Sequence, residues 1–164
     1  MSETAVKDWR AVRQARAARV QESIARAVAC PLCPEITPEE GLEILARAMG
    51  PQGGGRRWWK DTKTIRERAL RLTGDPVWRE RALSWTDAYW DEHGHGPTWK
   101  RFWNAPGLWP PDTTGSLLNT VLRQLAEDGG FDGTKTPFGL RRRTGTGGPQ
   151  PEQALALVPS PAAR

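Results

Sequence analysis

The stretch that decides the fold is residues 112–143, with the sequence DTTGSLLNTVLRQLAEDGGFDGTKTPFGLRRR. Apolar side chains in its first half recur at the spacing of one helix face, and Gly129 with Gly130 then stops the helix. These apolar side chains are Leu117, Leu118, Val121, Leu122 and Leu125. Phe131 begins a short strand, residues 133–137 form a turn, and residues 138–140 return the chain. The pattern predicts a helix followed by a tight hairpin.

Polar side chains occupy the opposite face of this predicted helix. They are Ser116, Asn119, Thr120 and Arg123. Amide and hydroxyl groups exchange hydrogen bonds with base edges, and an arginine can pair with guanine or with a phosphate. We therefore expect an exposed recognition helix that is suited to the major groove of DNA.

The residues upstream complete a recognisable order of elements. Asp75 with Pro76 opens a helix that ends near Gly94, and Thr98 caps a short second helix. Four tryptophans of these two helices are expected to pack in the core, namely Trp78, Trp85, Trp99 and Trp103. Helix, turn, short helix, loop, helix and hairpin are the elements of a winged helix, which we assign to residues 76–143.

Residues 83–143 also resemble the winged helix-turn-helix domain of the SOS-response repressors of the LexA family. The residues that carry the resemblance are His95, Gly96, Pro97 and Thr98 at the turn, Leu122, Leu125 and Gly129 at the end of the recognition helix, and Phe131, Gly139 and Leu140 in the wing. Phe138 stands where the family has an arginine. The resemblance implies that Thr114, Ser116, Asn119 and Thr120 read bases. It covers no protease domain, so it does not imply self-cleavage.

Basic residues occur in blocks along the chain. Residues 56–82 carry a net charge of +5 and residues 134–164 one of +4, whereas residues 83–133 carry −4. Basic blocks are typical of proteins that bind polyanions. The predicted phosphate contacts are Arg56, Arg57, Lys60, Lys135, Arg141, Arg142 and Arg143, the last three just past the wing. Trp58 and Trp59 either pack or stack on bases.

Helix start and stop signals also organise the rest of the chain. Ser2 caps a long helix that reaches about Ala29, and Thr37 to Glu40 forms a capping box for a helix that ends at Met49. The predicted organisation is a helical N-terminal region at 1–50, a basic, glycine-rich linker at 51–60, a helical extension with the winged helix at 61–143, and a disordered tail at 144–164. The expected fold class is mainly α.

The two cysteines and two histidines of the chain form a separate candidate site. Cys30 and Cys33 stand as C-P-L-C, and His93 and His95 stand as H-G-H. Two cysteines exclude a disulfide scaffold, and a thioredoxin-like role would need strands that the surroundings lack. The sequence predicts no cofactor and leaves one alternative, a structural zinc held by these four side chains.

We predict sequence-specific binding of double-stranded DNA by a transcriptional regulator or a phage or plasmid accessory factor. The alternative is an interaction adaptor without enzymatic activity, whose winged helix docks a partner protein. In either case, helices 2–29 and 37–49 could form a surface for self-association or for a protein partner. The sequence contains no catalytic motif, so we expect no enzyme. It also lacks a signal peptide and a membrane span, which predicts a cytoplasmic protein without a membrane partner.

Overall fold

The structure, a computed structural model, describes residues 2–32, 36–50 and 59–144. Within these residues the chain forms six helices and a two-stranded antiparallel sheet, so the expected mainly α fold class is confirmed. The helices are α1 (Glu3–Ala29), α2 (Pro38–Met49), α3 (Lys63–Thr73), α4 (Pro76–His93), α5 (Trp99–Trp103) and α6 (Gly115–Glu127). Strand β1 (Phe131–Asp132) pairs with β2 (Arg141–Arg142), so that Phe131 lies opposite Arg142.

Each helix begins at a residue whose side-chain oxygen accepts a hydrogen bond from a backbone N–H of the first turn. These capping residues are Ser2, Thr37, Thr62, Asp75, Thr98 and Thr114. The predicted capping box is present, because Glu40 also accepts a hydrogen bond from the backbone N–H of Thr37 at 2.8 Å. Helix α6 begins after Thr114, whose hydroxyl accepts a hydrogen bond from the backbone N–H of Leu117 at 3.2 Å.

The main hydrophobic core lies between α3, α4, α5, α6 and the hairpin. We call residues 59–144, which enclose it, the C-terminal core. Phe102 and Phe131 are fully buried at its centre, and their rings meet edge to face at 5.6 Å. The indole N–H of Trp78 donates to the carbonyl of Leu108 at 2.7 Å, which ties the loop before α6 to α4. This packing places α6 with α3 along one side and the hairpin beyond its end.

The tryptophans only partly follow the expectation of core packing. Trp78 is buried and Trp85 packs against the core, as expected. The expectation is wrong for Trp99 and Trp103, which are 37% and 40% exposed. Helix α5 has only five residues, and Phe102 is its buried residue, so the tryptophans at its two ends point away from the core.

A second, smaller cluster joins α1 and α2 to the C-terminal core. Its buried members are Val20, Ile24 and Ala27 from α1 and Phe138 from the loop that returns from the hairpin turn. Partly buried side chains of α2, including Ile44 and Leu45, close over it. We call α1 and α2 the N-terminal arm. Phe138 is thus the residue of the C-terminal core around which this cluster packs.

The hairpin differs from the prediction in its second strand. Residues 138–140 were expected to return the chain, but the pairing strand is Arg141–Arg142. Phe138 has a φ of 56°, in the left-handed region, so it cannot continue an extended ladder. Its side chain instead turns into the arm cluster. Arg141 and Arg142 are therefore part of the hairpin, and the prediction that they follow it is wrong.

Several predictions fall on residues outside the described ranges. These are the phosphate contacts Arg56 and Arg57, the stacking residue Trp58, the candidate metal ligand Cys33, and the tail beyond Thr144. Most of the predicted linker at 51–60 also lies outside them. Among the described helices, none is both long and apolar enough to cross a membrane.

Candidate nucleic-acid interface

A cleft of about 1220 Å³ lies between the N-terminal arm on one side and α6, α5 and the hairpin loop on the other. Five cationic side chains line it, namely Arg13, Arg16, Arg47, Arg123 and Lys135. Three tryptophans also line it, namely Trp9, Trp59 and Trp99. Among the described lining residues none is Asp or Glu. We call this the cationic cleft, and its one-signed lining makes it attractive to polyanions.

The arm side of the cleft is built by one stripe of α1. Trp9, Arg13 and Arg16 follow each other at spacings of four and three residues, so they share a helix face. The same face continues into the buried Val20 and Ile24. The Arg13 guanidinium lies over the Trp9 ring at 5.4 Å from the ring centroid. The face of α1 that packs the arm against the core therefore also places Arg13 and Arg16 in the cleft.

The sequence analysis missed Arg13, Arg16 and Arg47 as candidate site residues. The helical spacing from Trp9 to Val20 was the signal available for the first two. Arg16 also spans the cleft, because its guanidinium donates to the Lys135 carbonyl at 3.2 Å. This bond connects the arm directly to the hairpin turn. Lys135, predicted as a phosphate contact, is exposed there.

The predicted exposure of the polar face of α6 is wrong for two of its residues. Asn119 and Thr120 are only 4% and 6% exposed. The Thr120 hydroxyl donates to the Ser116 carbonyl at 2.9 Å, and the Ser116 hydroxyl accepts from the backbone N–H of Lys60 at 2.9 Å. The segment before α3 thus contacts this face at Ser116, and α3 packs along α6. Arg123 remains exposed and lines the cleft.

Asn119 is buried at the wall of the cationic cleft with an unused donor. Its Nδ2 atom has no hydrogen-bond acceptor among the described residues. A buried donor without an acceptor costs about 1–3 kcal/mol. An acceptor atom of a bound ligand in the cleft would remove that cost. Asn119 is therefore placed to contact a ligand, although not on an exposed helix face.

The hairpin arginines that the sequence predicts as phosphate contacts lie outside the cationic cleft. Arg142 donates to Glu80 and Asp87 of α4 at 2.7 and 2.8 Å. The hydrogen bond to Glu80 raises the pKa of Arg142 above its ordinary value, and the same bond lowers the pKa of Glu80. The structure thus pairs Arg142 with carboxylates of its own chain.

Arg143 also bonds to a carboxylate of its own chain, whereas Arg141 lies over an aromatic ring. The Arg143 side chain, 15% exposed, donates to Asp132 at 2.8 Å. Arg141 is exposed, with its guanidinium 5.7 Å from the centroid of the Trp90 ring. None of the three is among the residues that line the cationic cleft. Of the predicted contacts, the structure brings together Asn119, Arg123 and Lys135, whereas Thr114 serves as a helix cap.

Three of the four candidate metal ligands lie together, and none of the three lines the cleft. The ligand atoms of Cys30, His93 and His95 all lie within 4.8 Å of one another. Cys30 ends α1 as its cap residue, His93 ends α4, and His95 follows in the next turn. The Cys30 Sγ is 3.6 Å from the Nδ1 of His93. Burial lowers the pKa of His95 below its ordinary value, so its ring is neutral near pH 7.

Comparison of the chain with protein-family models, with curated proteins and with solved structures gave no match. The function is therefore inferred from the chain's own residues.

Proposed function

We propose that this protein binds double-stranded DNA and holds the phosphate backbone across the mouth of the cationic cleft. The observation that carries the proposal is the lining of the cleft, with five cationic side chains and no carboxylate among its described residues. Phosphate contacts from Lys and Arg supply most of the affinity of proteins for DNA. A transcriptional regulator or a phage or plasmid accessory factor is the role that fits such binding.

The order of elements supports DNA as the polyanion. Helices α4, α5 and α6 followed by the hairpin have the order of a winged helix, and the same residues resemble the DNA-binding domain of the LexA family. In that arrangement the hairpin turn carrying Lys135 and the helix carrying Arg123 flank the duplex. Both residues line the cationic cleft, and the arm adds Arg13, Arg16 and Arg47 to them.

Base recognition has a smaller part in this proposal than the sequence predicts. Thr120 is buried and donates within its own helix, and Ser116 is bonded to the segment before α3. Asn119 and Arg123 are the side chains of α6 that line the cleft and keep donors available. Sequence preference then rests on these two residues, and backbone contacts dominate the affinity.

The burial of Thr120 and the bond to Ser116 favour a second candidate, a protein-interaction adaptor. A helix whose polar face is covered by its own chain is used for internal packing rather than for reading bases. Exposed apolar side chains also occur on the arm and on α3, where Leu42 and Leu70 are 67% and 59% exposed. The adaptor would bind duplex DNA weakly and without dependence on the cleft residues.

The test is the salt dependence of binding to a labelled random duplex, measured by fluorescence anisotropy. Each neutralised phosphate contributes about −0.9 to the slope of log K against log salt, so five cleft contacts correspond to about −4.5. Replacing Arg13, Arg16, Arg47 and Lys135 together with Ala should lower the affinity and flatten the slope by about 3.6.

The matched control removes four charges from exposed positions outside the cleft. It replaces Lys7, Arg10, Lys63 and Arg71 with Ala, and none of these residues lines the cationic cleft. Because the net charge of the two variants is equal, the control should keep nearly the wild-type slope. If both variants lose the same affinity for duplex DNA, the attraction depends on net charge alone and the cleft is not the binding site. If the wild type does not bind duplex DNA, the adaptor is the candidate function that stands.

A further inference from the structure

Three potential metal ligands meet where the end of α1 lies against the end of α4. We infer that Cys30, His93 and His95 bind a zinc ion that fastens the N-terminal arm to the C-terminal core. Their ligand atoms lie within 4.8 Å of one another, although Cys30 is more than sixty residues from the histidines along the chain. None of the three lines the cationic cleft, so the inference stands independently of the proposed function.

The distances are close to those of a tetrahedral site. Zinc–sulfur and zinc–nitrogen bonds of about 2.3 and 2.0–2.1 Å place the two ligand atoms about 3.6 Å apart at a tetrahedral angle. The Sγ of Cys30 and the Nδ1 of His93 are 3.6 Å apart. The ligand atom of His95 lies within 4.8 Å of both. Three protein ligands leave the fourth position of the ion to a further donor.

The hydrogen bond of His95 determines which of its ring nitrogens carries the hydrogen. Its Nδ1 lies 2.8 Å from the carbonyl oxygen of Gly96, and a carbonyl can only accept, so Nδ1 carries the hydrogen. In the neutral ring the lone pair is then on Nε2, the atom type that binds zinc. Zinc-binding histidines commonly donate their other nitrogen to a carbonyl or a carboxylate in this way.

The turn that carries His95 is fixed by close backbone packing. The N–H of Gly96 donates to the Phe138 carbonyl at 2.7 Å, and a Cβ on Gly96 would lie 2.6 Å from the Leu140 carbonyl oxygen. Only glycine fits there, which holds the neighbouring His95 fully buried. His93 is held by stacking on the Tyr89 ring at 4.0 Å.

His93 also has a carboxylate on its far side. The Nε2 atom of His93 faces the Glu92 carboxylate at 3.9 Å, while Nδ1 faces Cys30. A carboxylate there would favour hydrogen on Nε2 and the lone pair on Nδ1. The side chains of Cys30 and His95 are buried, so the ion would lie within the packing between the ends of α1 and α4. Binding would release the thiol proton of Cys30 to solvent.

The test is a titration of the full chain with Co²⁺, after purification with a chelator and a reductant. We expect saturable binding with the visible bands of tetrahedral Co²⁺ and a thiolate charge-transfer band, and displacement of Co²⁺ by Zn²⁺. Zinc should also raise the melting temperature of the wild type. Circular dichroism checks that every variant has the wild-type helix content before titration.

Two ligand variants and one control make the assignment specific. Cys30→Ser, which hardly changes side-chain size, should abolish the charge-transfer band, and Cys30→Ser and His93→Gln should each weaken Zn²⁺ binding by on the order of 100-fold or more. Asp91→Asn, which removes an exposed charge close to His93 in the chain but no ligand, should retain the tetrahedral spectrum. A folded wild type without a tetrahedral Co²⁺ spectrum would overturn the inference, as would a Cys30→Ser protein with the wild-type spectrum and affinity.

Discussion

The C-terminal core and the N-terminal arm bury their apolar side chains in different ways. The core draws its cluster from four helices and the hairpin, with Phe102 and Phe131 fully enclosed. The arm buries three α1 side chains against its own α2 and meets Phe138 from the core. Because the core encloses more apolar surface, we expect it to be the more stable of the two regions and the arm to depend on its attachment to it. The cationic cleft lies between the two, so its shape depends on that attachment.

The largest expected effect separates the two regions by stability. Phe102→Ala should lower the free energy of unfolding by about 3–5 kcal/mol, because it empties a fully enclosed site in the core. Phe138→Ala should leave the core folded but release the arm. Denaturant unfolding measures the first effect, and trypsin cleavage at the arginines of α1 measures the second. Equal global destabilisation by both substitutions would show that the arm and the core are one cooperative unit.

Local sequence signals predict most of the helices. The caps at Ser2, Thr37 and Thr98 act within four residues of chain, so they are visible in the sequence and all three occur in the structure. The leucines of α6 likewise predict its buried stripe, since Leu117, Leu118 and Leu125 are buried. Short-range physics suffices for such elements.

Long-range packing is what sequence reasoning missed. Helical periodicity separates Asn119 and Thr120 from the leucine stripe but does not show that the fold buries both. The ion pairs of Arg142 and Arg143 were missed for the same reason, because their carboxylate partners lie 11 to 62 residues away along the chain. The cysteines and histidines were predicted as candidate metal ligands because the chain has only two of each. That Cys30 lies beside His93 and His95 follows from the fold and is not visible in the sequence.

A middle-sized effect distinguishes two neighbouring arginines of the hairpin. Arg143→Ala should destabilise the C-terminal core by about 1–3 kcal/mol, because Asp132, whose side chain is 10% exposed, loses its charged donor. Arg141→Ala should change stability little, since Arg141 is exposed and only covers the Trp90 ring. Thermal unfolding of both variants at equal salt checks this. If the two variants are equally stable and lose the same affinity for DNA, both arginines contact phosphates, as the sequence predicts.

The smallest expected effect concerns Asn119, at the wall between the core and the arm. Asn119→Ala should change the free energy of unfolding by less than about 1 kcal/mol, because the Nδ2 donor that it removes has no acceptor among the described residues. If that donor meets an acceptor of bound DNA, affinity should fall by about 1 kcal/mol, roughly fivefold.

Thr120→Val is the matched control, because Thr120 is equally buried but bonds within its own helix and does not line the cleft. It should leave DNA binding unchanged. Duplex affinity and melting temperature of both variants, measured against the wild type, give the answer. A loss confined to Asn119→Ala assigns the donor to the DNA, because the two positions share burial and differ in access to the cleft. Equal losses at both positions would instead mean that the arm moves aside and that the whole polar face of α6 contacts bases.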